Sequence, residues 1–373
     1  MTNIAILGGF FGDESKGSFT HHFSKSDYDW VIRFSAGSNA GHTIYRDGVK
    51  FVHNLLPCVD WRVPTVKAYL GSGMVIDLVK LEEEILAAES AYVGVSGRIY
   101  VDLEAFIVQD KHKEEDKANN GHIGSTNHGI GPAYKDKIGR TGLRINDCLT
   151  HDLYGPIIKR MVERGVHFVH QLAMQPEMEK QSLLFEGAQS LLLDIDHGTY
   201  PYVSCGSASL AGIHSSGFGF AKLDHVYGVA KVYSTKVGEG PFPTEIFGKE
   251  AEDLRERGHE YGSTTGRPRR IGWLDLPALR YAVQKGNIDR LIITKFDILD
   301  GMEKVPVCYA YQKAPVCPAD FFTAQPQYHQ IDGWKDCKDI KQLREFLSCV
   351  KNYAGVPISH ISRGIAEGDI VSL

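Results

Sequence analysis

The chain alternates short apolar runs with segments of helical periodicity. The apolar runs read NIAILG, WVIRF, KAYLG, SLLFEGA, HVYGVAKVY and RLIITKF, and each has the length of a buried strand. Between and after them, the pattern predicts helices around 78–90, 105–118, 153–173 and 276–285. This alternation favours an α/β fold with a mainly parallel sheet covered by helices. Ligands bind such sheets at the loops that follow the carboxyl ends of the strands, so we expect the chemistry there.

Two long polar stretches, 111–147 and 258–272, interrupt this pattern. They are rich in glycine, and loops of such length are usually functional. The chain has no internal repeat, no low-complexity segment and no linker rich in proline and serine. We therefore expect one large domain over residues 1–373, with a central sheet, flanking helices and long active-site loops.

Composition and charge narrow the class of protein. Apolar residues make up 43% and charged residues 23%, with a formal net charge of −5, as in an ordinary globular protein. A mildly acidic chain is a poor binder of nucleic acid or of anionic membranes, so neither is expected as a partner. The 7 cysteines are scattered without a C-x-x-C pair, which predicts reduced thiols and no zinc site. Without a signal-peptide pattern or a membrane-length apolar run, we expect a cytoplasmic protein, in the host cytoplasm if its source is viral.

The run GGFFGDESKGS follows the first apolar run and predicts an anion-binding loop. It leads into a helix expected to begin near Lys16, and the backbone N–H groups at a helix start attract phosphate. The common Walker pattern does not fit, because Phe10 and Ser15 occupy its two glycine positions. Since Asp13 and Glu14 would repel a phosphate, we infer a Mg²⁺ ion held by Asp13 and by phosphate oxygens.

Later blocks add candidate chemistry in loops. In SAGSNAGHTI, His42 can act as a general acid near neutral pH. In STNHGIGPAYKDKIGRTGLR, Arg140 can offer a two-pronged fork to a phosphomonoester. The amide of Gln189, in FEGAQS, both donates and accepts, as reading a purine edge requires. In YGSTTGRPRRIGWLD, Arg267 and Arg269 can clamp a carboxylate or a phosphate.

The segment ITKFDILD ends a predicted buried strand with Lys295 and Asp297. An aspartate there can accept two hydrogen bonds from a guanine edge, while the lysine stem covers the ring. The same T-K-x-D string occurs in guanine-nucleotide proteins, which makes a purine nucleoside triphosphate a candidate ligand.

Taken in order, these blocks resemble the adenylosuccinate synthetase family. The matching segments are GDESKG, NAGHT, GIGPAYKDKIGRTGLR, EGAQSLLLDIDHGTYPYV, VGEGPFPTE, TTGRPRRIGWLD and TKFD, spread from residue 4 to about residue 300. The resemblance implies an α/β fold, a homodimer and a two-step ligation. In that ligation a nucleoside triphosphate first phosphorylates the 6-oxygen of a purine nucleotide, and the amino group of L-aspartate then displaces the phosphate.

The resemblance also implies roles for individual residues, with Mg²⁺ as the cofactor. Catalysis would fall to Asp13, Lys16, His42 and Gln189. The purine monophosphate would meet Asp13, Ser15, Asn39, Thr126, Arg140, Gln189, Ser204 and Val237, with Arg140 supplied by the partner subunit. Aspartate would be bound by Thr265, Arg267 and Arg269. The triphosphate would meet Gly12, Ser15, Lys16, Gly17, Gly41, His42, Thr43, Lys295 and Asp297. The metal would be held by the Asp13 carboxylate and the Gly41 carbonyl.

Several positions depart from the family pattern, and they surround the expected purine site. They are Phe10, Phe11, Ser15, Ser38, Asn127, His128 and Ser190. We expect from them that the chain is most like the bacteriophage branch that makes N6-succino-2-amino-2'-deoxyadenylate from dGMP. The Ser15 hydroxyl could accept a hydrogen bond from the 2-amino group of dGMP, which a glycine cannot.

Three alternatives stay open at the level of sequence. Inosine monophosphate (IMP) with GTP is the alternative acceptor and donor, because the expected base Asp13 is retained. ATP or dATP is the favoured donor, since the carboxyl-terminal ISRGIAEGD departs from the family's guanine-binding turn. A different class is a non-catalytic purine-nucleotide sensor, which product formation would exclude.

Overall fold

A ten-stranded sheet forms the centre of the computed structural model, which describes residues 1–25, 28–46, 49–119, 121–262, 266–313, 315 and 317–373. The strands of the described chain are β1 Ile4–Gly8, β2 Trp30–Arg33, β3 His42–Arg46, β4 Val49–His53, β5 Lys67–Leu70, β6 Val75–Ile76, β7 Ile99–Asp102, β8 Phe106–Ile107, β9 His167–Val169, β10 Leu183–Glu186, β11 His225–Lys231, β12 Tyr233–Lys236, β13 Arg270–Asp275, β14 Arg290–Thr294, β15 Lys304–Tyr311, β16 Pro326–Asp332, β17 Ile358–Ser362 and β18 Ile370–Ser372. The α-helices are α1 Lys16–Phe23, α2 Leu78–Ala91, α3 Asp110–Asn119, α4 Ile130–Gly139, α5 Ile145–Cys148, α6 Gly155–Glu163, α7 Gln171–Met178, α8 Leu210–Ile213, α9 Lys249–Gly258, α10 Leu276–Lys285 and α11 Arg344–Ala354.

The central sheet runs in the order β18-β17-β14-β11-β1-β10-β2-β5-β7-β9. Its neighbouring strands are parallel except for the β17–β18 pair at one edge. Strand β1 lies in the interior, where Ile4 pairs with Leu184 of β10 and with His225 of β11. A smaller sheet has the order β12-β13-β15-β16, and β3 with β4 forms an antiparallel hairpin. The predicted α/β fold with a mainly parallel central sheet is confirmed.

The apolar runs are continuous because both faces of the central sheet are covered. In β1, Ala5 and Leu7 enter one hydrophobic cluster, whereas Ile4 and Ile6 enter the other. All four side chains are at most 1% exposed. Side chains that alternate between two dry faces leave only the strand ends for polar chemistry.

Two predictions about secondary structure are wrong. The expected helix at 153–173 is divided into α6, β9 and α7, and Gly165, with φ 106°, ends the first part. The expected loop at 111–147 contains α3, α4 and α5. Helix α3 overlaps the helix predicted around 105–118, although its sequence, DKHKEEDKAN, has almost no apolar face. Ion pairs to α4, such as Lys111 with Asp136 at 2.7 Å, help to fix it in place. No helix among the described residues is long and apolar enough to cross a membrane.

Candidate active site

A cavity of about 830 Å³ lies along the carboxyl edge of the central sheet. Its walls come from the segments that follow β1, β2, β10, β14 and β17, the position at which α/β sheets bind ligands. Most of the expected site residues line it together: Gly12, Asp13, Ser15, Lys16, Gly17, Asn39, Gly41, His42, Thr43, Thr126, Gln189, Ser204, Val237, Arg269 and Lys295. The volume is at the upper end of that of small-molecule sites.

Four of these residues have backbone conformations that side chains normally avoid. The angle φ is 60° at Asp13, 75° at Ser15, 55° at Gln189 and 68° at Lys295. A left-handed conformation costs a residue with a Cβ roughly 1–2 kcal/mol, and such positions concentrate at functional sites. The convergence of four around one cavity therefore indicates that the cavity is functional.

Glu14 lies at the base of the opening loop, enclosed at the cavity wall by its own partners. Its carboxylate is 2% exposed and accepts hydrogen bonds from the backbone N–H groups of Phe10 and Gly12, at 3.1 and 2.9 Å. It also pairs with the Lys16 ammonium at 2.8 Å and accepts the Ser190 hydroxyl at 2.7 Å. The expectation that Glu14 repels phosphate is thus wrong, since its charge is already balanced. The backbone N–H groups of Phe10 and Gly12, in the loop expected to bind an anion, donate to this glutamate instead.

Asp13 is the more exposed of the two acids of this loop that line the cavity. Its side chain is 29% exposed, and its Oδ2 lies 3.0 Å from Nε of Arg269. Arg269 in turn donates from Nη1 to Glu260, which is fully buried. The Asp13 carboxylate and the Arg269 guanidinium, both partly exposed, therefore lie next to each other at the cavity wall.

His42 is held by a buried acid. Its Nδ1 hydrogen-bonds the carboxylate of Glu186, whose other oxygen accepts the Cys58 N–H at 2.7 Å. Burial alone would raise the pKa of Glu186, but the adjacent His42 ring, Arg33 and the Cys58 N–H lower it to about 2. The ionised acid fixes the His42 proton on Nδ1. Burial lowers the pKa of His42 against the opposing effect of Glu186, so the ring favours its neutral form.

Gly17 allows α1 to approach this histidine. A Cβ at Gly17 would lie 2.8 Å from the Cβ of His42 and 2.8 Å from the sulfur of Cys58. Any larger residue would push the opening loop away from β3, and His42 away from the loop. Packing alone therefore requires a glycine at position 17.

Three expected site residues within the described part of the chain do not line this cavity, and a fourth is outside that part. Arg140 ends α4 in an exposed position, with φ 63°. Arg267 is exposed and donates to the Gly124 carbonyl at 3.1 Å. Asp297 is half-buried, and its Oδ1 is buried with no hydrogen-bond partner among the described residues. Thr265 lies outside the described residues.

Most of the departures from the family pattern lie outside the cavity. Ser190 is fully buried against Glu14, and Ser38 is 1% exposed, with its hydroxyl 3.3 Å from Nδ1 of His128. Ser38 and His128 therefore contact each other, whereas Ser15 and Phe11 line the cavity. Only two of these positions are therefore placed where they could contact a purine in the cavity.

Sequence reasoning missed two buried acids of this site. Neither Glu186 nor Glu260 is among the site residues expected from the sequence. Both are 0% exposed. Glu186 pairs with His42, and Glu260 pairs with Arg269. An acid directly after an apolar strand run was the available signal for Glu186. Glu260 follows a polar helix and offered none.

Comparison with known proteins agrees with this geometry. The adenylosuccinate synthetase family model matches residues 5–180 and 150–371. The adenylosuccinate synthetase of Petrotoga mobilis is 43% identical over 98% of this chain and 96% of its own, and that of Thermotoga maritima is 39% identical over 100% of both. The fully ligated adenylosuccinate synthetase of Plasmodium falciparum superposes with a TM-score of 0.91, at 32% identity and 99% coverage of both chains.

The expected closeness to the bacteriophage branch is not supported. The succinoaminodeoxyadenylate synthetase of cyanophage S-2L, solved with dGMP and dATP, has a TM-score of 0.74 and covers 100% of this chain and 95% of its own. It shares only 21% identity, which indicates a common fold alone. The bacterial adenylosuccinate synthetases are about twice as similar in sequence. From its cavity, its family match and these full-length relatives, the chain belongs to the adenylosuccinate synthetase family of carbon–nitrogen ligases.

Proposed function

We propose that the enzyme joins L-aspartate to carbon 6 of IMP at the expense of GTP. Asp13 takes the proton from the purine ring nitrogen, which makes the 6-oxygen nucleophilic. That oxygen attacks the γ-phosphorus of GTP, and GDP leaves. The amine of L-aspartate then attacks carbon 6, phosphate leaves with the 6-oxygen, and the amine loses a proton. The products are N6-succinyl-AMP, GDP and phosphate.

The observation that carries the proposal is the gathering of Asp13, His42 and Gln189 around one cavity. A base, a candidate acid and a purine-reading amide are needed together for ligation, whereas a nucleotide sensor needs only the last. Because the neutral His42 carries its proton on Nδ1, its Nε2 must gain one to serve as an acid. An anionic phosphoryl group beside the ring would raise the His42 pKa, and Glu186 stabilises the resulting cation.

IMP is the acceptor that the relatives favour. Proteins named adenylosuccinate synthetase match essentially the whole chain at 38–43% identity. The position of Ser190 and Ser38 away from the cavity removes much of the reason to expect dGMP. Ser15 remains the one polar departure in the cavity wall, so dGMP is the acceptor to test against IMP.

GTP is the donor that Asp297 favours over ATP. A carboxylate oxygen that is buried without a partner lacks a hydrogen bond, and guanine offers two adjacent N–H donors to such a group. Burial raises the pKa of Asp297. A hydrogen bond from guanine to the carboxylate would lower that pKa again. Lys295, two residues away, lines the cavity and is held by the Gly258 carbonyl at 2.9 Å.

The donor set of the cavity fits Mg²⁺. The Asp13 carboxylate and the Gly41 carbonyl both belong to the cavity wall, and Mg²⁺ prefers such oxygen ligands together with phosphate oxygens. When bound, the ion would neutralise charge on the transferring phosphoryl group. Asp13 and Gly41 are the residues that would hold it.

Aspartate binding is assigned to Arg269 in the cavity wall, together with Arg267 and Thr265 of the same loop. Arg140 is exposed at the end of α4, away from its own cavity, so we assign it to the cavity of a second copy in a homodimer. Lys16 is assigned to the triphosphate, although its ammonium is paired with Glu14.

A matrix of substrates tests the function. The purified enzyme is incubated with L-aspartate and Mg²⁺ over IMP, GMP and dGMP against GTP, ATP and dATP, with products identified by mass spectrometry and a parallel series in EDTA. Product from IMP with GTP, lost in EDTA, is expected. Product from dGMP alone would replace the acceptor assignment, and binding without any product would restore the sensor.

A further inference from the structure

Behind Arg269 lies a buried ionic cluster of Glu260, Lys231 and Tyr233. The Lys231 ammonium contacts both Glu260 oxygens, at 2.8 and 2.9 Å, and the Tyr233 hydroxyl donates to the same carboxylate. The three side chains are at most 2% exposed. One carboxylate thus receives two donors from inside the protein and a third from Arg269 at the cavity.

The backbone places the two ends of this contact together. The Glu260 N–H donates to the Arg255 carbonyl of α9, and the Arg269 N–H donates to the Glu260 carbonyl, both at 2.9 Å. Glu260 and Arg269 are therefore joined by a main-chain hydrogen bond as well as by their side chains. These bonds join the segment that follows α9 to the residue that precedes β13.

Burying this cluster is costly for stability. A buried ion pair is often no more stable than an apolar pair of the same size, because both ions lose their hydration. Burial alone would raise the pKa of Glu260, and only Lys231, Arg269 and Lys295 lower it to about 2. A charged anchor is needed where a guanidinium must be held in one orientation. Nη1 of Arg269 donates to Glu260, and Nε of Arg269 lies 3.0 Å from the Asp13 carboxylate. In the part of the chain that the structure describes, no hydrogen bond from Nη2 of Arg269 is found.

We propose that Glu260, backed by Lys231 and Tyr233, is a positioning residue that aims the Arg269 guanidinium at the carboxylate of the incoming aspartate. The inference rests on the proposed function, because it assigns Arg269 to the aspartate subsite. Glu260 is itself 0% exposed and does not line the cavity. Its effect therefore reaches the substrates through Arg269, and we expect it to be largest for the aspartate that Arg269 binds.

The test compares Glu260→Gln with a matched variant of the neighbouring pair. Arg270 donates two hydrogen bonds to the Glu245 carboxylate, from Nε at 2.7 Å and from Nη2 at 2.5 Å. Neither residue lines the cavity. Glu260→Gln should raise the KM for L-aspartate about tenfold or more, with the KM values for both nucleotides within about twofold of the wild type. Glu245→Gln should leave all three KM values unchanged.

Two further measurements separate positioning from loss of structure. Because Glu260→Gln leaves Lys231 without its counter-ion, the double variant Lys231→Met/Glu260→Gln removes both charges and should fold while showing the same selective rise in KM. Calorimetric titration with L-aspartate should show the same weakening without turnover. A wild-type KM for aspartate in these variants, a similar rise for all substrates, or an equal rise in Glu245→Gln would overturn the inference while leaving the proposed function intact. A wild type that makes no product, yet loses aspartate affinity on Glu260→Gln, would overturn the function alone.

Discussion

Lys236 is a buried cation whose removal should stabilise the protein. It ends β12 with 1% exposure, and among the described residues its ammonium has no hydrogen-bond partner. The ammonium lies 3.9 Å from the centre of the Phe11 ring. Burial, and secondarily Arg270, lowers the Lys236 pKa from 10.5 to about 7. We predict that Lys236→Met, which fills similar volume without charge, unfolds at a higher denaturant concentration.

The size and the sign of the effect follow from that pKa. The unfolded chain keeps the lysine charged up to about pH 10.5, whereas the folded chain prefers it neutral. The folded state of the wild type is therefore penalised fully below pH 7, and the penalty disappears as the pH rises to 10.5. Linkage gives on the order of 4 kcal/mol at pH 7 and about 2 kcal/mol at pH 9. The contact with Phe11 offsets about 1–2 kcal/mol, leaving Lys236→Met more stable by about 2–3 kcal/mol at pH 7.

Urea unfolding followed by tryptophan fluorescence, at pH 7 and at pH 9, measures this difference. Lys285→Met is the matched control, because Lys285 is exposed at the end of α10 with its ammonium 6.0 Å from the Tyr281 ring centre. It should change the free energy of unfolding by about 0.5 kcal/mol or less at either pH. A Lys236→Met protein that is less stable than the wild type at pH 7, or whose advantage does not shrink at pH 9, would contradict this prediction.

Three other predictions concern the site. Ser15→Gly should raise the free energy of unfolding by about 1 kcal/mol, because the backbone there has φ 75°, and should leave kcat/KM for IMP within about threefold; a loss of IMP turnover would show that the hydroxyl contributes to binding. Ser190→Ala removes one donor from the buried carboxylate of Glu14 and should lower the free energy of unfolding by about 1–3 kcal/mol in the same urea assay; no change would mean that Glu14 does not depend on it. Asp13→Asn and Arg140→Ala should each be inactive. Mixing the two variants under conditions of subunit exchange should restore about one quarter of wild-type activity, because half of the random dimers are mixed and each mixed dimer holds one complete site out of two. No recovery would place Arg140 in its own subunit's site.

The sheet could be predicted from the sequence because its strands are buried on both faces. Runs such as NIAILG and RLIITKF have uninterrupted apolar centres, IAIL and LII, and the structure forms β1 and β14 within them. Helix α10 was likewise predicted at its observed bounds, 276–285, because its apolar positions follow the helical period. Helix α4 was not, since it lies in a stretch expected to be a loop, and a pattern of hydropathy does not contain its ion pairs to α3.

The cavity could be anticipated only in part, for a similar reason. Residues of the loops that directly follow strands, such as Asp13 and Gln189, were identified because the ends of parallel strands meet at one edge. The partners of those residues come from distant segments: Glu14 is held by Ser190, and Arg269 is held by Glu260. Whether an acid faces a ligand or a buried lysine depends on the fold. The inward turn of Glu14 was therefore beyond sequence reasoning.

The interior place of β1 has a consequence for synthesis of the protein. Its neighbours in the sheet, β10 and β11, begin at Leu183 and His225, so neither exists when the segment IAILG leaves the ribosome. At about 5–20 residues per second, that apolar segment waits roughly 10–40 s for its first partner strand. Pairing across so long a separation also slows folding. During this interval the nascent chain exposes an unpaired hydrophobic strand, which makes it a natural client for chaperones.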